Sequence, residues 1–366
     1  MKFTIDRESL LKPLQQVIGV VERRQTLPVL GNLLIKAGQD GLKITATDLE
    51  VEIQAQAAVD IEEGGEITLP ARKLIDICKA LPENASIVLE LKDQKAQIRS
   101  GRSRFTLSTL PAADFPVVDK ISSDCRFSMP QDRLKELIER TQFSMAQQDV
   151  RYYLNGLMLE IGPDLLRAVA TDGHRLALCD TAIDVAVQDA RQVIVPRKGV
   201  QELQRLLEDS DTPVELEIGT NHIRIRSPEV CFTSKLVDGR FPDYERVVPR
   251  GGDKVVLADR ELLRQALSRT SILSNEKYRG IRLTISKNIL KIQSHNPEQE
   301  EADEELEVEY PGAPLEIGFN VTYLLDVLSA IRSEQVEIIL SDSNSSCLMR
   351  QPDTDRCRYV VMPMRL

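Results

Sequence analysis

An internal repeat of about 126 residues constrains this chain more than any other feature. Leu69-Pro70-Ala71-Arg72-Lys73-Leu74 returns as Val195-Pro196-Arg197-Lys198-Gly199-Val200, its proline displaced by 126 residues (196 − 70). Ser108-Thr109-Leu110 with Phe115-Pro116 returns as Ser234-Lys235-Leu236 with Phe241-Pro242, and 241 − 115 is again 126. Two independent motifs at one offset indicate duplication. A third copy is fainter. Asp6-Arg7-Glu8, Asp132-Arg133-Leu134 and Asp259-Arg260-Glu261 stand 126 and 127 residues apart (132 − 6, 259 − 132). Phe319-Asn320-Val321-Thr322-Tyr323-Leu324 falls where the Pro-x-Arg-Lys segment should recur. Such a unit is too long for a solenoid and large enough to enclose its own core. The 366 residues therefore divide into three similar domains in series, 1–120, 121–246 and 247–366.

Each copy reads as a short strand, an amphipathic helix, strands, a second helix and closing strands. Leu134, Leu137, Ile138 and Thr141 share one helical face, as do Leu262, Leu263, Ala266 and Leu267. Asp6, Asp132 and Asp259 stand where N-caps would satisfy free amides. Pro13 should kink the first helix, because it removes a hydrogen bond. Gly38-Gln39-Asp40-Gly41 between apolar alternations predicts a hairpin, and Pro82 stops the second helix of the first copy. Strands are expected near 96–99 and 104–107. The fold class is α+β, two helices on an antiparallel sheet, three times over.

Composition excludes several classes. No run of about 18 apolar residues predicts a membrane span. Met1-Lys2-Phe3-Thr4-Ile5-Asp6 lacks an apolar signal core, so a cytoplasmic protein is expected. The six cysteines form no C-x-x-C pair and have no histidine at zinc spacing, so reduced thiols and no metal are expected. No phosphate-binding glycine loop is present, and no cofactor is implied. Thr171-Asp172-Gly173-His174-Arg175-Leu176 is the string most like a catalytic one, yet no nucleophile accompanies it and the first copy, Thr47-Asp48-Leu49-Glu50, lacks the histidine.

The net charge of −10 argues against a nucleic-acid binder until its distribution is considered. Eight carboxylates crowd residues 298–309. Basic residues recur on helices instead: Arg72, Lys73 and Lys79; Arg133 and Arg140; Arg197, Lys198 and Arg205; Arg260 and Arg264. Repetition of basic faces without an aromatic series points to phosphates of a duplex read without regard to sequence. The chain ends in an apolar stretch, Val360, Val361, Met362, Pro363, Met364 and Leu366, whose methionines suit an adaptable apolar pocket.

These strings, with Gln148-Asp149-Val150-Arg151-Tyr152-Tyr153-Leu154-Asn155-Gly156, Phe232 to Tyr244 and Ile272 to Lys277, resemble the bacterial sliding-clamp family, the beta subunits of DNA polymerase III, over the whole length. The resemblance implies a non-catalytic, head-to-tail homodimer: a ring of six like domains around double-stranded DNA. It implies a pocket for peptides of the replicative polymerase, the clamp loader, translesion polymerases, mismatch repair proteins and ligase. That pocket would comprise Leu154, Thr171, Gly173, His174, Arg175, Leu176, Pro242, Arg246, Val247, Ser346, Val360, Val361, Met362 and Met364, with Asn320 and Tyr323 at its margin. Arg24, Gln148, Arg151, Tyr152 and Tyr153 would lie near DNA. Lys73, Arg102 and Arg104 would face Glu300, Glu301 and Glu304 of a second subunit, around Phe105, Leu107, Ile272 and Leu273. Two other classes compete: an enzyme using Asp172 and His174, and a monomeric scaffold that binds proteins but no DNA.

Overall fold

The computed structural model describes residues 1–21, 27–118, 123–185 and 190–365. Six α-helices stand among them: α1 Arg7–Val17, α2 Ala71–Ala80, α3 Gln131–Thr141, α4 Arg197–Leu206, α5 Arg260–Thr270 and α6 Val321–Ala330. None is long and apolar enough to cross a membrane. The contacts gather into two compact units, residues 1–134 with 198–236, and residues 135–197 with 237–366.

The first unit holds two antiparallel sheets. One has the order Asp60–Glu63, Lys2–Asp6, Ser86–Lys92, Lys95–Ser100, Ser103–Ser108. The other, of eight strands, runs Ser123–Pro130, Pro213–Gly219, His222–Arg226, Val230–Lys235, Val51–Ala57, Gly41–Thr47, Asn32–Gly38, Gly65–Pro70. The second unit also holds two. Its eight-stranded sheet runs Arg191–Pro196, Gly156–Ile161, Leu165–Thr171, Arg175–Ala182, Cys357–Val361, Cys347–Arg350, Gln335–Leu340, Lys254–Asp259. Its four-stranded sheet runs Glu301–Glu307, Ile289–His295, Gly280–Ser286, Leu315–Asn320.

The large sheets run across the sequence copies. Val51–Ala57 of the first copy pairs with Val230–Lys235 of the second, with Glu52 opposite Thr233. Arg175–Ala182, the second-copy counterpart of Val51–Ala57, pairs with Cys357–Val361, the third-copy counterpart of Val230–Lys235. This is why the compact units do not follow the repeat. Two strands in the same series have one neighbour each: Ser103–Ser108 beside Lys95–Ser100, and Glu301–Glu307 beside Ile289–His295.

Burial of the apolar alternations drives the packing. In the second unit Leu154, Met158, Val169, Leu176, Leu178, Ile194, Phe241, Tyr244, Leu348 and Val360 form one buried cluster. Each such side chain contributes roughly 1.5–3 kcal/mol on leaving water.

The predicted hairpin forms between Asn32–Gly38 and Gly41–Thr47, where Gly41 has φ +95°. Helix α1 runs through Pro13, whose ring is buried. Three expectations need correction. Asp259 caps α5 by accepting from the Leu262 amide at 2.8 Å, but the Asp6 side chain caps nothing. Asp132 lies inside α3, which begins at Gln131; there the Gln131 and Asp132 amides donate to Thr212 O and Ser210 O, a long-range solution replacing a local cap. Cys179 and Cys357 are joined in a disulfide although 178 residues separate them, because their strands pair with these residues opposite one another. Cys78, Cys125, Cys231 and Cys347 stand outside any disulfide, and burial pushes Cys78 up to about 11.

Candidate functional site

The Thr171–Arg175 turn is built by short polar side chains acting on backbone. Thr171 Oγ1 donates to Arg175 O at 2.6 Å and accepts from the Gly173 amide at 3.1 Å. Asp172 Oδ1 accepts the amides of His174 and Arg175 at 2.9 and 3.0 Å. Gly173 adopts φ +89°, and a Cβ there would stand 3.1 Å from the Arg151 guanidinium, so a side chain would meet both strain and crowding. Asp172 is committed to the turn, and among the described residues no carboxylate is hydrogen-bonded to the His174 ring to orient it as a base. The His174 ring is instead exposed and stacks on Tyr323, centroids 6.4 Å apart.

Arg175 fastens this turn to its surroundings. Its guanidinium donates to Asp172 at 3.1 Å, to Phe143 O at 2.7 Å and to Asp326. It also lies 4.6 Å from the Tyr323 ring centroid and 5.4 Å from that of Phe143. Phe143 and Asp326 were missed from sequence, since only the folded register brings them here. Burial raises the Tyr323 phenol above its ordinary value.

The C-terminal strand completes the wall. Val361 pairs with Arg175 and Val360 with Leu176. The Met362 amide then donates to His174 O at 2.9 Å, and that of Met364 to Gly318 O at 2.8 Å, two residues from Asn320. Asn320 caps α6 by accepting from the Thr322 amide at 2.9 Å. Arg246, Val247, Ser346 and Met362 line one open cavity of about 890 Å3. Leu154, Leu176 and Val360 are buried beneath, with Val247 packed on them, while Pro242 is exposed nearby in sequence to Arg246. Residues from six separate segments thus converge, with apolar ground and exposed polar margins, as a peptide groove requires.

The expected nucleic-acid residues are more engaged than their sequence suggests. Arg24 lies outside the described residues. Arg72 donates to Val21 O at 3.2 Å, Arg197 to Met145 O at 3.0 Å, and Arg205 to Gln15 O, Gln16 O and Glu202 at 2.9, 2.6 and 2.7 Å. Lys198 is ion-paired with Asp48. Arg140 overturns the expectation that it shares a phosphate-facing basic surface with Arg133 on α3: it is buried against Glu136 at 2.9 Å, leaving Arg133 exposed. Gln148 (φ +55°), Arg151 and Tyr152 are exposed, and Tyr152 meets Tyr153 edge-on at 5.8 Å. Asp149 accepts from Arg151 and is held down to about 2, principally by that side-chain hydrogen bond.

Of the residues expected at a subunit contact, Lys73, Arg102, Arg104, Glu300 and Glu301 are exposed, and Ile272 is 75% exposed. Phe105 and Leu273 are half-buried. Leu107 departs from the expectation, being 8% exposed because it faces its own sheet's core. Glu304 already holds Arg269, 2.6 and 2.9 Å from its oxygens. Among the described residues no group of three His, Cys, Asp or Glu side chains could hold a metal.

Models of the DNA polymerase III beta subunit match the chain in three parts: the N-terminal domain over 1–119, the central domain over 128–243 and the C-terminal domain over 245–365. The chain belongs to the DNA polymerase III beta subunit family, and its fold is the DNA clamp fold. Its relatives include the beta sliding clamps of Pseudomonas aeruginosa, 61% identical, and Escherichia coli K12, 55% identical, each match covering all of both chains. A crystal structure of the Pseudomonas aeruginosa sliding clamp bound to griselimycin superposes over both full chains at 61% identity with a TM-score of 0.98. A Caulobacter crescentus beta sliding clamp does so at 42% identity and 0.95. The function is accordingly that of a sliding clamp in DNA replication.

Proposed function

We propose that the chain works as a head-to-tail homodimer whose closed ring encircles duplex DNA and has no catalytic activity of its own. One observation carries this reading. The strand series Val51–Ala57, Arg175–Ala182, Glu301–Glu307 and the series Ser103–Ser108, Val230–Lys235, Cys357–Val361 pair twice within the chain, and one member of each is left over. The leftover edges carry opposite charge: Arg104, flanked by Arg102, on one, and Glu301, Asp303, Glu305 and Glu307 on the other. An open edge seeks a partner, and opposite charge fixes which one and in what register. Pairing these edges between two copies repeats the seam a third time and closes the assembly. Exposed Ile272 supplies apolar area beside it.

In this reading the chain comprises domains 1–120, 121–246 and 247–366, and the groove at His174, Arg246, Tyr323 and Met362 takes short peptides of the replicative polymerase, clamp loader, translesion polymerases, mismatch repair proteins and ligase. Arg72, Gln148, Arg151, Tyr152, Tyr153, Arg197, Lys198 and Arg205 contact DNA phosphates, alongside Arg24. Enclosure provides retention, so phosphate contacts stay few and sliding stays easy, and the overall negative charge does no harm. A role in DNA replication fits action in the cytoplasm.

The deciding experiment loads the protein onto a nicked circular plasmid with clamp loader and ATP, then cuts the plasmid once. Release on cutting, with retention on the intact circle in high salt, is the expected result. Equal retention on cut and intact DNA would overturn the ring.

A further inference from the structure

Beside the groove lies a second cavity of about 380 Å3, within the range of ligand sites. Its floor is apolar: Leu178, Val248, Ile339 and Leu348. Its charged lining is Arg167, Arg250, Arg350, Arg358, Glu245 and Asp355, four cations against two anions, in a chain whose net charge is −10. Two of the arginines are neutralised in place. Arg167 makes a bidentate bond to Asp180 at 2.6 and 2.8 Å. Arg350 binds Glu337 at 2.5 Å and also Asp355.

The other two are less fully engaged. Arg358 reaches Asp180 only at 3.7 Å, and its Nε is buried without a hydrogen-bond partner. It stands directly opposite Arg350 on the neighbouring strand, a like-charge pairing that destabilises a sheet unless an anion intervenes. Arg250 is exposed and has no partner among the described residues. A buried donor left unsatisfied is costly, so this site is poised for an acceptor. A carboxylate fits best, because a guanidinium offers it paired donors and the apolar floor takes the side chain beside it.

The cavity shares Glu245, Val248, Pro249 and Arg250 with the 890 Å3 cavity lined by Arg246, Val247, Ser346 and Met362. We propose that it receives an acidic, apolar extension of the partner peptide, with a carboxylate between Arg358 and Arg250. This inference rests on the peptide-groove reading above. The extension adds affinity and selects among partners by the charge flanking their docking segment.

The test compares a fluorescein-labelled peptide of the replicative polymerase's clamp-binding segment with versions carrying Asp-Asp-Leu at either end, by fluorescence polarisation. One extended version is expected to bind about tenfold more tightly, as a charge-assisted contact allows. Arg358→Gln should abolish that gain while leaving the unextended peptide unchanged, and the exposed Arg250→Gln should separately abolish the gain. In 15N spectra the Arg358 Nε–H resonance should move with the extended peptide alone. Binding of the unextended peptide with no gain from either extension, or a gain that survives both substitutions, would overturn the inference and leave the groove standing. Failure of every peptide to bind would overturn the groove and the inference together. A gain reproduced by free N-acetyl-aspartate at the same site, without the peptide, would identify a small-carboxylate site and sink the extension.

Discussion

The groove wall and the two open edges solve opposite problems. At the groove the Thr171–Arg175 turn is held from several sides: Arg175 alone holds a carboxylate of its own turn, a carbonyl, Asp326 and two aromatic faces. At the edges the strands Ser103–Ser108 and Glu301–Glu307 leave one side of their backbone unpaired, and Ile272 projects into water. The first region is fixed before any partner arrives; the second is completed only by one. Preorganisation lowers the ordering cost of capturing a short peptide. In the proposed ring, a second copy of the protein supplies the strand that the unfinished edge lacks.

Four changes would break or sharpen this contrast. Arg175→Ala should be the most damaging, costing about 3 kcal/mol of stability by stranding a carboxylate in a half-buried site; thermal unfolding would register it, and peptide binding should fall with it. Ile272→Asp should leave the unfolding temperature of the isolated subunit nearly untouched but weaken self-association by about 2 kcal/mol, the scale of a good interface anchor. Light scattering across a dilution series reads that directly, and an unchanged dimer would move the contact elsewhere. Tyr323→Ala should reduce peptide affinity by about 1 kcal/mol through loss of the stacked surface beside His174, seen in polarisation titrations with little change in folding. Asp149 should give the smallest effect. Its depressed value of about 2 means that its contribution is present above the ordinary carboxylate range and is lost as pH falls through about 2. Asp149→Asn should therefore flatten the acid limb of the stability curve, measured by denaturation between those limits.

Much of this was legible because duplication writes the same local solution more than once. The helices follow from apolar spacing, and the hairpin at Gly41 from turn chemistry. Local signals failed where distant segments took over. Asp132 looked like a cap, but Thr212 and Ser210 carbonyls already satisfied the amides beside it. Arg140 looked ready for a phosphate, but Glu136 and burial claimed it. Cys179 and Cys357 looked unrelated until two strands set them opposite each other. The groove residues came through family resemblance, while Phe143 and Asp326, which hold Arg175 in place, leave no mark in sequence spacing. Arg358 escaped notice too, since its like-charged neighbour Arg350 is visible only in the sheet register.

The pairing of Arg175 with Val361 also orders events during synthesis. The turn at Thr171 leaves the ribosome first, and the strand that walls it, Cys357–Val361, follows far behind it in the chain. Domains fold as they emerge, and contacts far apart in sequence wait for their distal half. A nascent or prematurely terminated chain therefore lacks a finished groove, whatever else in it has folded. In the proposed reading, a partner that docks in the groove reads a surface that exists only once Cys357–Val361 has been made and paired.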